Sequence, residues 1–203
     1  MERGNKTRVR MFFRVVRRHK ESYSIVKREL EKLLDIPEIN INTQEYRDFT
    51  LLHLVTRYDK PKLIELFVIA GVNVNISGAS GESPLHYAVV KNKMESAKKL
   101  IEMGADLDCG AENEQTPLHY AVSNNRVEFI KLLVDSGAFI DLADENGSTP
   151  LHYALDDENV EMMSKLLELG ADVYIEDYDG KSVYEQALKH EVEDINNIVS
   201  EMG

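Results

Sequence analysis

Six histidines are the residues of this chain best suited to chemistry, as metal ligands or proton carriers. Four of them, His53, His86, His119 and His152, recur at a fixed interval of 33 residues. Equivalent positions in stacked helices lie about 8–10 Å apart, too far to share one zinc ion. The four therefore predict one structural role performed four times, not a metal centre. His19 and His190 have no Cys at ligand spacing, and no metal or cofactor is expected.

Paired carboxylates could carry acid–base catalysis, and Asp156, Asp157 and Glu158 sit together. They fall in a short connection between two helical patterns, where solvated surface charge is the expected role. Cys109 has no His or Asn motif around it to make it a nucleophile. It cannot form an internal disulfide, which suits a reducing, intracellular compartment. The chain has no Walker-type phosphate loop, no dinucleotide fingerprint and no nucleophile elbow. A non-catalytic protein without a small-molecule substrate is expected.

The elements that carry these residues repeat. Thr116-Pro117-Leu118-His119-Tyr120-Ala121 returns as Thr149-Pro150-Leu151-His152-Tyr153-Ala154 and as Ser83-Pro84-Leu85-His86-Tyr87-Ala88. Looser copies start at Thr50 and Ser182, so all five starts are 33 apart. Gly71, Gly104, Gly137, Gly170 and Gly203 keep the same phase. Between the landmarks, Val127, Ile130, Leu133 and Val134 mark one face of a helix. Thr or Ser suits an N-cap, Pro suits the first helical position, and Gly suits the C-terminal stop. Asn146-Gly147 and Asp179-Gly180 are turn dipeptides. Each unit reads as helix, turn, helix, Gly stop and extended linker.

A 33-residue period carrying T-P-L-H-x-A, a Gly-Ala stop and a D-x-x-G-x-T linker resembles the ankyrin repeat. The resemblance covers about residues 20–203. It implies an all-α solenoid of helix-turn-helix units with short β-hairpin-like linkers. It also implies that each motif histidine ties its N-cap Thr and the neighbouring repeat by hydrogen bonds. The expected segments are an N-terminal arm or capping helix over 1–19 and a degenerate capping repeat over 20–49. Repeats follow over 50–82, 83–115, 116–148 and 149–181, with a C-terminal capping repeat over 182–203. At that end Ile195, Ile198 and Val199 predict an inner stripe, and Asn196, Asn197, Ser200 and Glu201 a polar outer face. Capped at both ends, the array reads as complete. Asparagine hydroxylation, known in ankyrin linkers, is a further expectation for Asn42 or Asn75, although Asn40 and Asn73 stand where an acidic residue is usual.

Net charge is −12, but residues 1–32 hold eleven Lys/Arg against four Asp/Glu and the remainder thirteen against thirty-two. An acidic body repels nucleic acid and anionic lipid, while a basic end attracts them. No apolar run is long enough to cross a membrane. An intracellular location is expected, cytoplasmic or nuclear, or inside a host cell were the chain a viral or bacterial effector.

The resemblance places partner binding on the linker tips and short inner helices. Carried over repeat by repeat, the expected contact residues begin with Tyr46, Arg47, Phe49, Arg57 and Tyr58. Glu82, Lys91, Glu112 and Asn113 follow, and then Glu145, Asn146, Asp156, Asp157 and Tyr178. The first group holds aromatics and arginines, the types enriched in interface hot spots. Tyr87, Tyr120 and Tyr153 form a ladder read as mainly structural. On the arm, Val9, Phe12, Phe13 and Val16 share one helical face among Arg8, Arg10, Arg14, Arg17, Arg18 and Lys20. That face predicts a cap over the Leu30, Leu33 and Leu34 helix. The open alternatives are a docking helix for an acidic partner or lipid surface, a nuclear-import patch, a phosphate-binding arm or an organelle presequence. The expected function is protein–protein recognition by a chain monomeric alone. The alternative is an anchoring, nucleic-acid or anionic-lipid accessory acting through the basic arm.

Overall fold

A computed structural model describes residues 2–37, 39–42, 49–78, 80–189 and 197 of the chain. The expected C-terminal stripe and all but one of its polar neighbours lie outside the described residues, as do Tyr46 and Arg47. Asn197 is helical and exposed. The chain divides into two compact units, Met1–Ala105 and Asp106–Gly203.

The first unit opens with α1 (Glu2–His19) and α2 (Tyr23–Leu34), followed by two helix pairs. These are α3 (Leu51–Arg57) with α4 (Pro61–Ile69), and α5 (Pro84–Val90) with α6 (Met94–Glu102). The second unit holds α7 (Pro117–Ser123) with α8 (Val127–Asp135), α9 (Pro150–Asp156) with α10 (Val160–Glu168), and α11 (Val183–Ala187). Each unit is an all-α repeat stack of the solenoid class.

The short first helix of each pair is started chemically rather than by length. Seven residues cannot hold a helix in water alone, so capping and packing must supply the stability. Thr50, Ser83 and Thr116 sit in extended conformation and accept a hydrogen bond from the backbone N–H three residues on. Pro follows at the first helical position in α5, α7 and α9. Between the two helices of each pair one residue adopts a left-handed backbone. These are Asp59, Asn92, Asn125 and Glu158, with φ of 52, 53, 55 and 49°. Asn and Asp tolerate that region, whereas Glu has no local compensation of the same kind.

The linkers close as tight loops. Backbone N–H groups of Gly78, Asp144 and Asp177 donate to the carbonyls four residues on, at 2.8, 2.9 and 3.0 Å. An isolated antiparallel bridge joins Glu176 and Ser182. Asp144 Oδ1 accepts from the N–H groups of Asn146 and Ser148, at 2.8 and 2.9 Å. Asp177 does the same for Asp179 and Lys181. Gly147 is left-handed at φ 79°, and a Cβ there would stand 2.7 Å from the Tyr178 backbone nitrogen.

α1 is packed as part of the first unit. Val9, Phe12, Phe13 and Val16 are all buried, and Phe12 meets Phe67 of α4 edge-on at 5.9 Å. The stripe on α2 is Val26, Leu30 and Leu33, while Leu34 remains 39% exposed. Leu34 lies about 100° further round the helix than Leu33, which takes it off the buried face. Lys20 stands 4.3 Å from the Tyr58 ring centroid, and Lys60 bonds Glu21 at 2.6 Å, fastening the α1–α2 turn to the α3–α4 turn.

Two outcomes test this packing. Phe12→Ala removes a buried ring and should destabilise by about 3 kcal/mol, lowering the melting temperature by roughly 6–12 °C. Met11→Ala, at an exposed neighbour, should leave the melting temperature unchanged. Glu158→Asn should instead raise stability, by about 0.5–1 kcal/mol in urea unfolding, because Asn adopts the left-handed backbone more readily.

Candidate functional site

The motif histidines are load carriers of the stack. Nδ1 of His119 accepts from the Thr116 backbone N–H at 3.1 Å and lies 2.9 Å from the Thr116 hydroxyl. An accepting Nδ1 leaves the ring proton on Nε2, which donates to the Ser148 carbonyl at 3.0 Å. His152 repeats the arrangement with Thr149 and the Lys181 carbonyl, while His53 Nδ1 lies 2.7 Å from the Thr50 hydroxyl and its Nε2 3.1 Å from the Glu82 carbonyl. In each case the carbonyl lies 29 residues downstream, so the ring ties the first helix of a repeat to the linker that closes it. Burial pushes the His53 pKa down to about 4 and lowers that of His119. The His53 and His119 rings are neutral hydrogen-bond bridges. Among the described residues, no group of three or more His, Cys, Asp or Glu is placed to hold a metal ion.

A hollow of about 800 Å³ lies in the first unit, and it gathers expected contact residues from separate elements. Phe49, Arg57, Glu82 and Lys91 line it, joined by Phe13 and Arg17 of α1, Leu54, Tyr87 and Lys93. Phe49 packs edge-on against Tyr87 at 5.2 Å and 88°, and against the His53 ring at 5.7 Å. The Lys91 ammonium stands 5.6 Å from the Tyr87 ring centroid. Burial raises the Tyr87 pKa, with the nearby Arg57 charge opposing it. The floor is thus apolar and aromatic, and the rim is mostly cationic. Tyr58 does not join this hollow, because its ring lies under Lys20.

The second unit carries a hollow of opposite character, about 430 Å³. Asn146, Asp156 and Tyr178 are among its lining residues, together with Asp144, Ser148, Tyr153, Asp177 and Asp179. Tyr153 donates to Asp144 Oδ2 at 2.8 Å and accepts from Gln115 Nε2 at 2.7 Å. Burial and the Asp144 carboxylate push the Tyr153 pKa above its ordinary value. Burial alone would raise Asp144, but the hydrogen bonds from Tyr153, Asn146 and Ser148 outweigh it and hold the carboxyl low. Burial and the Asp157 and Asp177 charges raise Asp156. Tyr178 is 79% exposed. Glu112, Asn113, Glu145 and Asp157 are exposed but outside this hollow. Asn113 and Glu145 act in finger geometry, since the Glu145 N–H donates to the Asn113 carbonyl at 3.0 Å.

Phe13, Arg17 and Lys93 were not among the contact residues expected from the sequence. Phe13 and Arg17 lie on a helix outside the 33-residue phase, so repeat arithmetic assigns them no place beside Phe49 or Tyr87. Asn42 is half-buried. Its Nδ2 donates to the Gly71 carbonyl at 3.2 Å and its Oδ1 accepts from the Asn73 N–H at 2.8 Å.

This is the architecture of a modular repeat protein, built from repeated helix pairs that expose open hollows and loop tips. The chain belongs to the ankyrin-repeat family: the family model described as ankyrin repeats (three copies) matches residues 15–111 and 95–177, well over half of its length. A comparison with curated proteins gives no significant match. Ankyrin repeats are generally protein–protein interaction modules and typically non-catalytic.

The neutral histidines set an acid limit on the fold. An unfolded histidine takes up a proton near pH 6.5, whereas folded His53 resists protonation down to about pH 4. The stabilisation is therefore complete above pH 6.5 and is lost as pH falls from 6.5 towards 4, by roughly 3 kcal/mol for this residue. Urea midpoints at pH 7.5, 5.5 and 4.5 should fall in that order. A midpoint constant across the range would contradict the neutral bridges.

Proposed function

We propose that the protein is a non-catalytic binding module that recognises another protein through the hollow of its first unit and the adjoining loop tips. The observation that carries this reading is the gathering of Phe49, Arg57, Glu82 and Lys91 with Phe13 and Arg17 around one apolar floor. Aromatic and arginine side chains supply most of the energy in protein interfaces when clustered centrally. The floor is already ordered by ring-on-ring packing, so little side-chain freedom is lost on binding. Among its described residues the hollow lacks the set of convergent, buried polar groups that fixes a small substrate.

The basic arm enters this reading as part of the surface. Phe13 faces the floor and Arg17 the rim, so capping and recognition share one helix. A second reading, in which the arm anchors to polyanions, draws on its outer side. Arg8, Arg10, Arg14 and Arg18 are exposed there beside Met11. Salt separates the two: binding through phosphate contacts weakens steeply with ionic strength, and a hollow with an aromatic floor weakens far less.

The test uses the full chain as bait and the captured protein, purified, as ligand. Phe49→Ala should weaken its binding about tenfold or more, whereas Phe139→Ala, at an exposed ring of the second unit, should not. Undiminished affinity for Phe49→Ala, with loss on Arg14→Ala and Arg18→Ala together, would transfer the function to the arm.

A further inference from the structure

Resting on that reading of the hollow, we infer that its occupant is an acidic peptide segment bearing an apolar side chain. The carboxylates of the segment meet Arg17, Arg57, Lys91 and Lys93. Its apolar group lies on Phe49, which is backed by the buried Phe13 and Leu54.

Charge is the first support. Residues 1–105 hold nineteen Lys/Arg against thirteen Asp/Glu, and residues 106–203 hold five against twenty-three, so a net +6 and −18 make up the total of −12. The cations around the hollow concentrate this difference, with Glu82 the one carboxylate among the described lining residues. Among the described residues, no ion pair neutralises Arg57, Lys91 or Lys93. A ligand carboxylate placed there gains charge-assisted hydrogen bonds without breaking an existing pair. Like charges make the same rim repel a basic segment.

The shape of the floor separates a peptide from a nucleic acid. Single-stranded nucleic acid binds on free aromatic faces that stack bases. Here Tyr87 is 6% exposed and its neighbour Phe49 is turned edge-on to it, so the pair offers an apolar surface rather than a stacking platform. Glu82 would also repel a phosphate backbone, whereas a peptide N–H can donate to it. The acidic hollow of a second copy is a poor counterpart, because its carboxylates line a concavity instead of projecting from an extended segment. An extended segment of another protein satisfies both the charge and the shape.

The experiment is selection of random dodecapeptides displayed against the immobilised full chain, followed by fluorescence anisotropy on the enriched peptides. Enriched sequences should place Asp or Glu on either side of Leu, Ile or Phe. Replacing their acids by Asn and Gln should weaken binding about tenfold or more. Arg57→Glu should do the same, and so should Lys91→Glu. Asp179→Asn, in the acidic hollow, should change affinity less than about twofold. Arg57 and Lys91 are exposed, and melting temperatures equal to the unaltered chain establish that these variants are folded.

Enrichment of basic peptides, or of peptides indifferent to Arg57→Glu, overturns the inference and leaves protein recognition standing. Tighter binding of a dodecauridylate probe than of any selected peptide overturns both. Concentration-dependent dimerisation in sedimentation velocity, abolished by Arg57→Glu, makes the occupant a second copy and overturns the inference alone.

Discussion

The repeats that begin at Thr50, Thr116 and Thr149 each depend on one bond from their first helix to their closing linker. The Nε2–H of the motif histidine donates to a linker carbonyl 29 residues downstream, and the same ring accepts at Nδ1 from its own N-cap residue. A seven-residue helix, its cap and the next linker are thereby fixed by one neutral side chain. Remove the ring and three elements lose a shared partner in a buried setting, where an unsatisfied group costs about 1–3 kcal/mol. Everything exposed on the linkers, including Tyr178 and Glu145, takes its position from this internal frame.

A second ladder runs along the opposite turns and does the same with carboxylates and amides. Asn42, Asp108 and Asp141 each accept, through Oδ1, the N–H of a residue 31 further on, at 2.8, 2.9 and 3.0 Å. Burial raises Asp108 and Asp141, and the backbone N–H bond to each acts against that rise. Side chains of several types thus hold one backbone separation. That is why the repeat keeps its geometry while its surface residues vary.

The phase of the repeats, their caps and their helical faces were legible in the sequence because they recur. A Thr-Pro followed by a histidine means the same thing at 116 and at 149, and a reader needs no three-dimensional knowledge to align them. Phe49, Arg57, Glu82 and Lys91 were legible as one surface for the same reason. Three things escaped. Leu34 was expected on the covered helix with Leu30 and Leu33, yet α2 buries Val26, Leu30 and Leu33 and turns Leu34 outward. Phe13 and Arg17 belong to a helix with no counterpart elsewhere in the chain, so nothing in the period indicates which repeat they meet. Asp144 was legible only as the first residue of the D-x-x-G-x-T linker, and its burial under Tyr153 depends on a contact between linker and helix that spacing alone does not specify.

The separations of 29 and 31 residues have a kinetic meaning as well. In most folds, larger size brings contacts between more distant parts of the chain, and closing those long loops slows folding. Here the separation across these bonds is set by the repeat, not by the number of repeats. Two neighbouring repeats can assemble as soon as about two periods of chain exist, and each later one adds to a surface already formed. A gain or loss of 33 residues at a linker would preserve every such separation, while a gain of one residue would break those that span it. The array is therefore tolerant of change in whole periods and intolerant of change in single residues, so its length can drift in quanta without slowing its assembly.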